Sequence, residues 1–246
     1  VLTGIVILLL AKLISAQTPH SLNKTMTTSF IENKGQIIYQ YNQLNPTVLY
    51  LLNTPGFNVQ LRKGGFSYDV YSVSKEEPQS PALPWSHSLD TYNPGTNIID
   101  DHGSSETVYQ FHRIDFDLIG SNPDCEIITS EPSVDYLNYY TAGTPVEGVV
   151  FVRSYQQVTY KNIYPEIDLE CLIDPDQGYK YNWIIHPGGK LSSIKIKLSS
   201  PEVTVTREGS LVLVTTITKI EEKIPNSFAV LHDIKSPVDI DFHEIS

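Results

Sequence analysis

The chain has 246 residues, a formal charge of −11, 40% apolar residues and 18% charged ones. That length is enough to bury a sizeable core, and the composition is globular rather than disordered or fibrous. The acidic balance, with no Lys/Arg run, sets aside binding to nucleic acid through its phosphates and disfavours an anionic membrane surface.

Residues 3–16 read TGIVILLLAKLISA. This run is short for a bilayer span and is interrupted by Lys12. It has the form of the apolar core of a secretory signal, with Ser15-Ala16 as the small-residue end and cleavage between Ala16 and Gln17. The chain starts at Val1, so a basic leader segment is expected upstream of it. A buried N-terminal strand or helix is the structural alternative. Residues 17–29 are polar and read as a flexible leader, which leaves 30–246 as one domain.

FIENKGQIIYQ (30–40) carries a turn at Asn33-Lys34-Gly35-Gln36, with Gly35 as the positive-φ residue. TVLYLL (47–52), FNVQLR (57–62) and FSYDVYSV (66–73) are short strands separated by NTPG and KGG turns, a β-meander. Residues 74–106 hold four prolines and little periodicity. A stretch of that length reads as a disordered or loop insertion, with Trp85 as its one aromatic platform for a sugar or peptide.

Strands resume at 107–120. There Ile114, Phe116 and Leu118 alternate with Asp115 and Asp117, while Tyr109 and Phe111 have the opposite phase. The phase change predicts a bulge near His112 or a strand buried on both faces. SVDYLNYYTAG (133–143), VVFVRSYQQVTYKNI (149–163) and KLSSIKIKLSS (190–200) are further strands, and VTVTREGSLVLVTT (203–216) is a hairpin about Arg207-Glu208-Gly209. Fifteen Tyr and eight Phe against one Met also favour β-structure. The reading is all-β, an antiparallel two-sheet β-sandwich or a larger super-sandwich.

The stretch DLECLIDPDQGYKYNWIIHPGG (168–189) is the one acidic cluster worth testing for chemistry. Alternation puts Ile167, Leu169, Cys171 and Ile173 on one face, and Asp168 and Glu170 on the other. DPDQG is a turn in which Asp174 and Asp176 cap backbone N–H groups. Pairing residue 173 with 179 sets Glu170 across from Asn182 and diagonal to Lys180. On this reading every acid has a structural task. A glycosidase pair at Asp168/Glu170 is disfavoured, because such carboxylates flank a bond from two sides of a cleft. An EF-hand is excluded, since position twelve counted from Asp174 is Ile185 and not a bidentate glutamate. A looser calcium site at Asp174/Asp176 and a ligand set at Asp239, Asp241 and His243 are the remaining metal candidates, each against a solvent-facing alternative. Cys125 and Cys171 allow one disulfide or two free thiols. Motifs of the GxSxG, HExxH, Walker and GxGxxG types are absent from the sequence, and no cofactor is expected.

FIENKGQ (30–36), VLYLLNTPGFNVQLRKGGFSY (48–68), LNYYTAG (137–143), VTYKNIYPEIDLECL (158–172), YKYNWIIHPGGKLSSIKIKL (179–198), EGSLVLVT (208–215) and EEKIPNSFAV (221–230) follow one another in that order. Together they resemble the uncharacterised N-terminal domain of large secreted surface proteins of the Bacteroidota type. Within that family the domain precedes SBBP β-propeller-type repeats, immunoglobulin-like or PKD modules, and a gliding-motility-associated or type IX sorting domain. Two departures stand out: Asn182 takes the place of a family aspartate ahead of Trp183, and TPVEGVVFVRSY (144–155) lacks a family tryptophan. The resemblance implies export, an outer-surface location, a modular parent with further strands beyond Ser246, and no transferable catalytic residue. The functional expectation is a non-enzymatic structural or adhesion-related module whose partners are other domains of its parent chain, or a glycan or cell-surface polymer. A carbohydrate-binding sandwich using Trp85, Trp183, Tyr139 and Tyr140 is the second reading, and an enzyme acting on polysaccharide is the third.

Overall fold

The computed structural model describes residues 4–13, 28–39, 43–76, 106–141, 143–176, 178–199, 202–224 and 227–244, and at 4–13, 76 and 106 it describes the backbone alone. The strands in chain order are β1 Gly4–Leu13, β2 Phe30–Glu32, β3 Val48–Thr54, β4 Phe57–Arg62, β5 Gly65–Glu76 and β6 Glu106–Leu118. They continue with β7 Glu126–Pro132, β8 Leu137–Tyr139, β9 Val149–Val152, β10 Ser154–Tyr164, β11 Ile167–Asp174 and β12 Gly178–Ile185. The last six are β13 Ile196–Ser199, β14 Glu202–Val205, β15 Leu211–Val214, β16 Lys219–Lys223, β17 Ser227–Leu231 and β18 Ile234–Pro237. The fold is all-β and sandwich-like, as expected. Among the described residues the only helical element is one 3-10 turn at Leu191–Ser193, and no helix is long and apolar enough to cross a membrane.

Among the described residues sixteen strands form one sheet whose main path runs β13-β6-β5-β4-β3-β2-β10-β11-β12-β1-β16-β15-β14, and β8 with β9 forms a separate pair. The large sheet curls over on itself. β5 and β12 are far apart in strand order, yet Phe66 of β5 lies 5.1 Å from Tyr181 of β12, ring centre to ring centre. Tyr68 likewise meets Tyr179 edge-on at 5.8 Å. These rings, with Phe30, Phe57 and Phe116, fill the space between the two halves and are buried. Full burial of each such side chain stabilises by roughly 1.5–3 kcal/mol, and each ring pair adds about 0.5–1.5 kcal/mol. Trp183 is buried as well, packed 6.1 Å from Tyr164.

Local chemistry explains the turns. Asn33 closes the 30–37 turn: its Oδ1 accepts from the Gly35 N–H at 2.9 Å, and its Nδ2 donates to the carbonyls of Asn45 and Val48 at 2.8 and 2.7 Å. Gly35 takes φ 107°, as the turn reading requires. The 203–216 hairpin forms with Gly209 at φ 77°.

Several boundaries differ from expectation. β5 and β6 pair without a break from Gly65↔Asp117 to Glu76↔Glu106, so residues 74–76 and 106 belong to strands, and the remainder of the insertion, Trp85 included, lies outside the described residues. The bulge expected near His112 is absent from this pairing. Tyr109 and Phe111 have the opposite phase because they face outward. Residues 4–13, read as an export signal, lie as β1 between β12 and β16, while Ala16 and Gln17 fall outside the described residues.

Candidate functional site

The acidic hairpin has the expected register: Ile173 pairs with Tyr179 and Glu170 with Asn182. Asp174 takes Lys180 Nζ at 2.6 Å and accepts the Asp176 N–H at 3.0 Å. The diagonal partner of Lys180 is therefore Asp174. Glu170 instead accepts from Gln157 Nε2 and Asn182 Nδ2, each at 2.8 Å.

Asp168 departs from the outward position expected of it, because its side chain is only 2% exposed. β10 loses regular register between Tyr160 and Tyr164, with Asn162 at φ 50°, and this irregularity folds Lys161 and the Asn162 N–H over the carboxylate. Asn162 N–H donates to Oδ1 at 2.8 Å, and Lys161 Nζ donates to Oδ2. His186 Nε2 sits 2.8 Å from the same Oδ2, and facing an ionised carboxylate it is the donor. Burial pushes the Asp168 carboxyl up, but the hydrogen bonds from His186, Lys161 and Asn162 outweigh it and hold it below its ordinary value.

The HPGG turn completes this corner. The His186 N–H donates to the Glu166 carbonyl at 2.8 Å, and Glu166 itself has φ 58°. A Cβ on Gly189 would stand 2.6 Å from that same carbonyl oxygen, so the turn requires glycine to approach it. The YPEID and HPGG segments are thus two sides of one packed corner. Asp168 and His186 form a carboxylate–imidazole pair, and the same carboxylate also accepts from Lys161 and the Asn162 N–H, the arrangement of a structural ion cluster.

Neither cysteine is poised as a nucleophile. Both thiols are free, burial pushes Cys125 up, and burial pushes Cys171 to about 12. Asp239, Asp241 and His243 are solvent-exposed and lie outside any strand. Among the described residues no three His, Cys, Asp or Glu side chains gather as metal ligands.

Sequence reasoning missed Glu222 on β16, which is 0% exposed. Its Oε1 accepts from the Tyr68 hydroxyl at 2.8 Å. Tyr181 shares this polar island without a well-aligned hydrogen bond to it, and Oε2 has no partner among the described residues. Burial, opposed by the Tyr68 and Tyr181 hydroxyls, pushes the Glu222 carboxyl up to about 7. The pattern I-E-E-K-I at 220–224 held the signal, since alternation from the buried Ile220 puts Glu222 on the inward face.

The outer face of β5–β6 was also missed. Near the turn it carries a salt-bridged network: Arg113 binds Asp69 through two hydrogen bonds at 2.7 and 2.9 Å, and Arg62 binds Asp117 at 3.0 Å. Farther along, the same face turns apolar. Register places Tyr71 opposite Phe111 and Val73 opposite Tyr109. Tyr109 and Phe111 are 56% and 61% exposed, with near-parallel rings 6.2 Å apart. Tyr140, expected as a platform, is exposed on its own near the β8–β9 pair, where its ring covers Gly148.

A cavity of about 940 Å³ lies between Phe116, Trp183, Leu198, Leu211 and Phe242. Its walls are mainly apolar, with Lys195, Asp241 and His243 also contributing.

Neither the curated proteins nor the solved structures contain a match to this chain. A family model does match, over residues 30–245, and by that match the chain belongs to the domain of unknown function DUF7948.

Proposed function

We propose that this domain is a non-enzymatic, structural or adhesion-related module of a larger exported surface protein, and that it contacts its partners through the outer β5–β6 face. The observation carrying this reading is the apolar patch of exposed Val73, Tyr109 and Phe111, bordered by the half-buried Tyr71, on the paired β5–β6 strands. Contiguous exposed apolar surface marks a contact site when it is large for its setting. The acids that an enzyme reading would use are instead held by Lys161, His186, Gln157, Asn182 and Lys180. The export reading is supported by the apolar 3–16 segment and the acidic charge.

A specific feature favours carbohydrate as the partner chemistry. Two near-parallel rings on one strand face offer successive flat surfaces to the C–H faces of a sugar chain. A glycan array probed with the wild-type chain and with a Y109S/F111S variant tests this. Binding that falls at least about tenfold in the variant supports the glycan reading, and no binding by the wild type removes it. Reducing-end release from any polysaccharide, abolished by D168N, would overturn the non-enzymatic reading.

A further inference from the structure

β1 occupies the interior of the large sheet. On one side it pairs with β12, from Ile5↔Ile185 to Leu10↔Lys180. On the other it pairs with β16, from Leu10↔Lys223 to Leu13↔Ile220, and with β17, from Gly4↔Val230 to Ile7↔Ser227. β16 and β17 reach β12 through β1. The family match nevertheless begins at residue 30. The family domain therefore contains both walls of a slot one strand wide, and in this chain a segment from outside the match fills it.

The walls show what the slot requires. Each is a row of backbone N–H and C=O groups that needs a partner strand. Register sets Ile7 opposite the buried Trp183, Leu9 opposite the buried Tyr181 and Ala11 opposite the buried Glu222. The occupant, GIVILLLAKL, carries one charge in ten residues.

We propose that the gap between β12 and β16–β17 is a strand-acceptor site for an extended apolar segment of this kind. In the exported domain, once residues 1–16 are removed, it takes such a strand in trans from a second polypeptide. The second part rests on the export reading above. Affinity comes from two ladders of main-chain hydrogen bonds, and specificity comes from apolar residues at the alternate positions facing Trp183 and Tyr181. The ligand runs antiparallel to both walls, as β1 does.

The test uses the full chain carrying Ile7→Pro, which removes a ladder donor from the resident strand. The probe is a fluorescein-labelled peptide of residues 4–13 with three added lysines for solubility, and the control is the same peptide with proline at the Ile7 position. The expected result is 1:1 binding of the probe to the I7P chain, at least tenfold tighter than binding of the control peptide and than binding of the probe to the wild-type chain. Trp183 fluorescence should return to its wild-type value on binding. If the I7P chain fails to fold alone, refolding it with the probe should restore that signal, with the peptide bound. Absence of both binding and recovery would overturn the proposal, as would equal binding of probe and control or of variant and wild-type chains. These readouts use neither a glycan nor the β5–β6 face, so their failure leaves the adhesion reading standing, and the reverse also holds.

Discussion

Replacing Glu222 with glutamine should make the domain more stable at pH 8 and leave it nearly unchanged at pH 4. Glu222 is fully enclosed, with Tyr68, Tyr179 and Tyr181 around it and one hydrogen bond from Tyr68. Its carboxyl titrates near 7 in the fold against an ordinary 4.5. A raised acid favours its neutral form, so the native state binds the proton more tightly than the unfolded chain does. Stability is then fully present below about pH 4.5 and is lost as pH rises towards 7, where both states ionise. At about 1.4 kcal/mol per unit, the loss is roughly 3 kcal/mol. Glutamine keeps the Oε1 acceptor for Tyr68 and cannot ionise. In a domain of this size about 3 kcal/mol moves Tm by roughly 6–12 °C. Calorimetry of the wild type and E222Q from pH 4 to pH 8 should show curves that meet at the acid end and diverge through neutrality. A constant offset across that range would refute an internal glutamate titrating near 7, and so would destabilisation by glutamine at pH 8.

The Asp168 corner predicts the opposite dependence. Asp168→Asn leaves Lys161 and His186 without their carboxylate and should cost about 1–3 kcal/mol in urea unfolding at pH 7, discounted because both donors are about a third exposed. The folded carboxyl lies below its ordinary value, so this contribution is complete above about pH 4 and the D168N difference should shrink as pH falls below that. Gly189→Ala puts a methyl 2.6 Å from the Glu166 carbonyl and 2.8 Å from Ile185 Cγ2, and should cost about 1–3 kcal/mol by the same measurement. Thiol titration should find two reactive cysteines in denaturant, with Cys171 silent in the native protein, because it is buried and its thiol is pushed to about 12.

How much of this was legible follows from what alternation can and cannot carry. The Ile173↔Tyr179 register was readable because the DPDQG turn fixes the loop length and the period of two fixes the faces. The fate of Asp168 was not. Alternation placed it off the apolar face, but the register break in β10 and the HPGG turn enclose that second face too, and the period of two within β11 carries neither. Similarly, the opposite phase of Tyr109 and Phe111 reads from sequence as a bulge near His112 or a strand buried on both faces. A strand longer than the core it crosses presents apolar residues to solvent on its far face, and local periodicity cannot tell that from a bulge. Glu222 is readable in principle from its alternation with Ile220, yet an inward glutamate runs against the rule that buried carboxylates are rare.

The signature segments and the contact face make separate demands on the sequence. YPEID and HPGG meet at a corner where Asn162 and Glu166 adopt positive φ and Gly189 closes on a carbonyl. Residues there answer to the backbone geometry, whatever the domain binds. Tyr109 and Phe111 lie outside those segments, on a face where the fold asks for little. Each ring is more than half exposed, and their mutual contact is worth about 0.5–1.5 kcal/mol. Y109S/F111S should therefore stay within about 1.5 kcal/mol of wild type in urea unfolding while losing partner binding. Tyr181→Ser, which removes a buried ring from the core, should cost about 3 kcal/mol or more. If the surface pair proves as costly to stability as Tyr181, those rings belong to the core and the contact face must be sought elsewhere.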